Sequence, residues 1–151
     1  MNNKNHWIIR ISDGINFKNS KYLFWGVKRG KNDCLKSIVK KFKEGDILWF
    51  ITNKKNGGKI IGMAEYVNFF DKKDEPLISI NSISNEEQNW TEGEYDIQIH
   101  YKNLYNTEKQ NIRGCFVGMS CIFYYDRIKD KIDKNLYNEY DNYIYYCDPV
   151  K

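Results

Sequence analysis

Hydrophobic and polar positions along this chain change rhythm several times, and each change marks an element. His6-Trp-Ile-Ile-Arg-Ile-Ser12 is rich in β-branched and aromatic residues and closes on Asp13-Gly14, which predicts a first strand and a turn. Tyr22 to Trp25 reads as a short extended piece. In Asp33 to Phe42, Leu35, Ile38, Val39 and Phe42 fall at i, i+3, i+4 and i+7. They share one face of a predicted helix, with Lys36, Lys40 and Lys41 mostly on the other. Asp33, or Asn32 before it, is placed to cap the first turn, and lysines near the last turn suit the negative end of the helix dipole. After the turn Glu44-Gly45-Asp46, the run ILWFIT (47–52) is apolar on both faces, as in a strand covered from two sides. Asn56-Gly57 predicts a hairpin. Lys59 to Val67 is its returning strand, in which Gly62 marks a bulge, a bend or the close approach of another backbone.

Further along, 71–94 is polar, holds Pro76 and Trp90, and reads in part as a long loop. YDIQIHY (95–101) alternates, with Tyr95, Ile97, Ile99 and Tyr101 on one side, which predicts a half-exposed strand. Another strand is expected within Cys115 to Tyr125, and a short helix around Ile128, Ile132 and Leu136. No internal repeat or linker divides the chain, so a single domain over 1–151 is expected. Parallel sheets need repeated crossovers, and this chain offers few. The expected fold is mixed α+β: a partly open β-barrel of five or six strands with flanking helices.

Charge changes this picture more than length does. The chain has 151 residues and a formal charge of +4, but residues 1–60 carry a balance of +10 and residues 61–151 one of −6. A basic half can face phosphate, because steering follows local potential rather than the total; a solvated lysine-rich surface is the plainer alternative. Cys34, Cys115, Cys121 and Cys147 form no CxxC pair and only His6 and His100 accompany them, which argues against zinc. No leader or membrane-length apolar run is seen, and an intracellular location, nuclear or cytoplasmic, is the default.

No phosphate-binding glycine loop, HExxH or GxSxG occurs; Gly57-Gly58 belongs to the hairpin. His100 reads as a rim residue, and Asp71 and Asp74 as solvated carboxylates in a charged loop. The sequence therefore leans toward binding without turnover and without a cofactor. What remains is aromatic and basic. Aromatic residues make up 16% of the chain, and Arg10, Lys28, Arg29 and Lys31 lie near Trp25 in sequence. Base stacking on such rings contributes roughly 1–3 kcal/mol while cations hold phosphates. The same residues equally describe a core with a solvated rim.

The order WIIRISD, KYLFWGVKRG, helix, FKEGDILWFITNKKNGGKIIGMAEYV and a later Asn-Trp resembles the PUA-like superfamily, and within it the EVE and YTH branches. The strongest part covers about residues 6 to 70. The resemblance implies an open β-barrel that reads modified nucleotides: methylated adenine in RNA for the YTH branch, modified cytosine in DNA, or RNA, for the EVE branch. Carried onto this chain, Trp25 becomes a wall of a base pocket and Gly26 lets a ligand approach the backbone. Ser12 or Asp13 stands near the base, Trp49 or Phe50 lines the pocket, and Trp90 serves as a second wall if its loop folds back. Lys28, Arg29, Lys31 and Arg10 would hold phosphates.

Departures accompany the match. No residue corresponds to a third cage wall, and the pair that EVE domains carry beyond their glycine is shifted here to Lys28-Arg29. The partner expected is RNA or DNA with a modified or flipped base, and no membrane. An enzyme acting on nucleic acid or nucleotides through His100, and a protein-interaction module using the tyrosines of the acidic half, are the alternatives.

Overall fold

The computed structural model describes residues 5–73, 88, 90, 95–108, 122–124 and 148–149. Among these residues seven strands form one mixed sheet: β1 (His6–Arg10), β2 (Phe24–Val27), β3 (Ile47–Ile51), β4 (Ile60–Asp71), β5 (Ile97–Asn106), β6 (Ile122–Tyr124) and β7 (Asp148–Pro149). Two short helices, α1 (Ile15–Asn19) and α2 (Cys34–Val39), flank it. The strands run in the order β2-β5-β4-β3-β1-β6, with β7 pairing β5. Among the described residues only β1 and β3 are parallel, His6 opposite Ile47 through Arg10 opposite Ile51; the α1–β2–α2 stretch makes the crossover that a parallel pair requires. The result is the expected α+β fold, an open, curled half-barrel with flanking helices.

Curling comes from three register shifts. One lies between Phe50 and Ile51 where β3 meets β4, and two in the β4–β5 pair, between Met63 and Glu65 and between Tyr66 and Asn68. Each extra residue bends its strand and strengthens the local twist. Gly62 sits at the first of them, and a Cβ there would lie 2.9 Å from Cζ of Phe17. The close approach is thus made by an aromatic ring of α1, a helix that the periodicity did not predict. The 47–52 run is buried along its whole length, as expected of a doubly covered strand. One face of β1 and β3 places Trp7, Ile9, Leu48 and Phe50 in the main core.

Several boundaries differ from expectation. The helix predicted over 33–42 is shorter, and a 3-10 turn, Lys31–Asp33, precedes it. Neither Asn32 nor Asp33 caps it through a side chain; both have positive φ, and Asp33 instead faces Arg29 Nε at 3.7 Å. Val39 and Phe42 are buried and Ile38 is packed against the core, so the apolar face is used although the helix ends early. The hairpin closes through a 3-10 turn, Lys54–Asn56, capped by the Asn53 side chain. The 95–101 strand begins at Ile97 and is not half-exposed, since Gln98 is buried as completely as its apolar neighbours. Asp71 is not in a solvated loop but ends β4, buried. The helix expected around Ile128 to Leu136, together with Asp74, Cys115, Cys121 and Cys147, lies outside the described residues.

Candidate nucleic-acid interface

Strand β2 ends the sheet path, and its outer edge is closed by residues from the polar 71–94 stretch. The Gln88 side chain accepts a hydrogen bond from Tyr22 N–H at 2.6 Å and donates to the carbonyls of Tyr22 and Phe24 at 3.0 and 3.1 Å. Two residues on, Trp90 Nε1 donates to Ser20 Oγ at 2.8 Å. These bonds bring Trp90 against Trp25: the ring centroids are 5.3 Å apart and the planes 64° apart, an edge-to-face contact. Tyr95 and Phe24 meet the Trp90 ring at 5.2 and 5.6 Å. Gly26 lies under this cluster, and a Cβ there would stand 2.7 Å from Tyr95 and 3.0 Å from the Trp90 ring. Both indoles are buried, each 7% exposed, and belong to the core.

The remaining residues of the expected pocket fall in three places. Phe50 faces the barrel interior, joined to Trp25 through Phe17 by ring contacts of 4.5 and 6.1 Å. Trp49 points to the other face of β3, where its Nε1 donates to His6 Nδ1 at 3.0 Å. Ser12 and Asp13 are exposed at the turn into α1. The Ser12 carbonyl accepts from Asn53 N–H at 2.8 Å, and Asp13 Oδ1 accepts from Ile15 N–H at 2.9 Å.

The basic residues divide likewise. Lys28 and Lys31 are exposed, and Arg10 is half-buried at the end of β1. Arg29 makes a bidentate pair with Asp71 through two 2.6 Å bonds, and Lys36 reaches the same carboxylate at 2.8 Å. The Arg29 hydrogen bonds, followed by those from Lys36 and Lys73 N–H, hold the Asp71 carboxyl well below the usual carboxylate range despite its burial. Lys36, expected on the solvent face of the helix, therefore ties α2 to the end of β4. The buried acid Asp71 was missed because a charged residue before Lys-Lys-Asp carries no sign of its distant partners.

A concavity of about 370 Å³ opens on the face of β5 that carries His100, lined by Tyr22, Leu23, Phe24, Val67, Asn68, Phe70, His100 and Tyr101. The register shift between Tyr66 and Asn68 sets Val67 out of the ladder at its wall. His100 stacks on Phe24 at 5.2 Å and meets Phe70 at 4.9 Å, and burial holds its imidazole down to about 4. Its Nε2 lies 3.1 Å from Gln98 Oε1. No acid or thiol stands within hydrogen-bond reach of His100 among the described residues, and no cluster of three His, Cys, Asp or Glu groups there could hold a metal ion. Exposed large apolar side chains among the described residues are Ile15 and Tyr22, and most tyrosines of the acidic half lie outside those residues. No helix among them is long and apolar enough to cross a membrane.

No protein-family model matches the sequence, and no curated protein matches it. In structure the chain is similar to the YTH domain of the Zygosaccharomyces rouxii MRB1 protein in complex with N6-methyladenosine RNA, at 14% identity and a TM-score of 0.38. That match covers 67% of this chain and 58% of the YTH chain. It is also similar to the Pho92 YTH domain in complex with m6A, at 16% identity over 74% of this chain and 66% of that one, TM-score 0.37. The ASCH protein from Zymomonas mobilis matches over 96% of this chain and 97% of its own, at 10% identity and a TM-score of 0.46. The chain thus has structural likeness to both YTH and ASCH domains.

Proposed function

We propose that this chain is a single-domain, non-catalytic binder of nucleic acid that holds one modified base at the Trp25–Trp90 cluster. The observation that carries the reading is the meeting of these two indoles, distant in sequence, beside a glycine whose missing Cβ leaves room for Trp90 and Tyr95. Because the rings are buried against each other, a base enters by turning the Trp90 ring out of contact with Trp25. The Ser20 hydrogen bond and the contact with Tyr95 guide that motion. Extruding or capturing the base costs least from single-stranded nucleic acid. Stacking gives affinity, and polar partners on the base edge give identity. Lys28, Lys31 and Arg10 hold phosphates, while Arg29, bound to Asp71, places the segment that carries Lys28 and Lys31.

The test is binding of short RNA and DNA oligonucleotides carrying methyladenine, methylcytosine, hydroxymethylcytosine or no modification, to wild type and to Trp25→Ala. Folding of the variant is checked by circular dichroism. The expected loss is roughly 1–3 kcal/mol of stacking. Equal binding by folded Trp25→Ala would return Trp25 to a purely structural role. Binding that requires Trp25 but ignores modification would keep the site and remove the reader function.

A further inference from the structure

We propose that the cavity over His100 is a second nucleotide subsite, which takes the base next to the one held at Trp25, with Tyr22 as its stacking face and Lys21 at its phosphate. The inference rests on the nucleic-acid reading above and extends it to a place no residue pattern had indicated. Three observations converge on the cavity.

Its walls are aromatic, and the most exposed of them, Tyr22, already carries a cation: Lys21 Nζ lies 5.5 Å from the ring centroid. A planar ring on Tyr22 would leave that ammonium at the rim, where an attached phosphate would meet it. A neutral apolar ligand would gain nothing from this placement, whereas a base joined to a phosphate uses both groups.

The floor also offers hydrogen-bonding capacity that the protein leaves unused. With the Gln98 amide oxygen facing Nε2, that nitrogen carries the imidazole proton, and Nδ1 of His100 remains an acceptor. The imidazole is uncharged at neutral pH, since burial lowers its proton affinity. It therefore suits the N–H edge of a neutral base.

The cavity is moreover contiguous with the first site. Phe24 touches His100 on one side and Trp90 on the other, at 5.2 and 5.6 Å between centroids. The buried Phe24 ring thus joins the wall of the cavity to the Trp90 side of the first site. The volume of about 370 Å³ is at the small end of ligand pockets, fit for one base and its sugar.

The two histidines make the test direct. His6, bonded to Trp49 on the other side of β3, serves as an internal control for His100. The side-chain NMR signals of both are followed while the full chain is titrated with AMP, with CMP and with ribose 5-phosphate. The expected result is a saturable shift of His100 alone, with AMP or CMP but not with ribose 5-phosphate, and about tenfold weaker binding in Tyr22→Ala. No His100 shift with either nucleotide would overturn the subsite, as would an equal shift with ribose 5-phosphate. Single-stranded oligonucleotides distinguish the two proposals. Trp25-dependent oligonucleotide binding with a silent His100 would leave the reader standing and remove the subsite. A His100 shift with AMP, combined with oligonucleotides binding no tighter than AMP, would make this a mononucleotide site and remove the reader.

Discussion

Gln88 stands beside Tyr22 as though it were one more residue of a neighbouring strand, its amide oxygen accepting the Tyr22 N–H and its amide nitrogen serving the Tyr22 and Phe24 carbonyls. A single side chain thereby closes part of an edge that would otherwise present open donors and acceptors. Gln88→Ala should lower stability by about 1–3 kcal/mol, because it leaves the buried Phe24 carbonyl and the part-buried Tyr22 groups unpaired. Gln88→Glu should also be destabilising, since a carboxylate has no N–H for the two carbonyls. Urea unfolding of both variants measures this. A change below about 0.5 kcal/mol, the size of an ordinary surface substitution, would show that the edge is satisfied by other means.

Gly26→Ala should displace the cluster that Gly26 supports. Its φ is not in the left-handed region, so the effect is one of space: the new methyl would fall 2.7 Å from the Cβ and Cγ atoms of Tyr95, which cannot yield without moving the Trp90 contact. A loss of about 1–3 kcal/mol is expected, the range for overpacked cores. Tryptophan fluorescence should shift with it, because Trp25 and Trp90 lose their mutual contact. An unchanged spectrum with unchanged stability would mean that Tyr95 has room to retreat.

His100 should make the protein less stable as pH falls from about 6.5 to 4. The unfolded chain takes up the proton near 6.5, while the buried imidazole waits until about 4. Stability from this group is therefore complete above 6.5 and drains away through that interval. With solvent screening of the partly exposed ring, the amount is on the order of 1–2 kcal/mol. His100→Phe should flatten the slope in chemical-denaturation curves collected across that interval. A slope that persists would assign it to another group.

Asp71 acts lower on the pH scale. Its folded carboxyl ionises well below the ordinary range, so its contribution is complete above about 4 and is lost as pH falls further. Asp71→Asn should be less stable than wild type at pH 7, with the deficit shrinking below about pH 4. Parallel denaturation of the two proteins at pH 7 and pH 3 tests this, and a deficit that is constant with pH would exclude the charge as its source.

The legible parts of the chain were those whose signal is local. ILWFIT needs no partner to reveal burial on both faces, and the Leu35 to Phe42 spacing reveals which side of α2 is apolar even though the helix stops early at Val39. The bulge at Gly62 was legible too, because glycine inside a strand has few other uses. Relationships across the sequence were not legible. Asp71 looked solvated until Arg29 and Lys36 were seen around it, and Gln88 looked like loop until it lay along β2. Helix α1 lacks a helical apolar period, and its one buried side chain, Phe17, is held by the gap over Gly62 rather than by a stripe. For the candidate site, sequence singled out Trp25 and Trp90. The concavity over His100 depends on the register at Val67, which no single strand encodes.

The parallel pairing of β1 and β3 also bears on how the chain reaches this state. Residues 6–10 lie between Ile47–Ile51 on one side and Ile122–Tyr124 on the other, so this strand's second partner is synthesised long after it. Contacts so distant in sequence form slowly, because loop closure comes before any gain. Throughout synthesis HWIIR remains an apolar ribbon with at least one open edge, a template for another nascent copy. A chain halted before residue 122 would keep that edge exposed indefinitely. Such fragments should aggregate, and refolding yield of the full chain should fall as protein concentration rises.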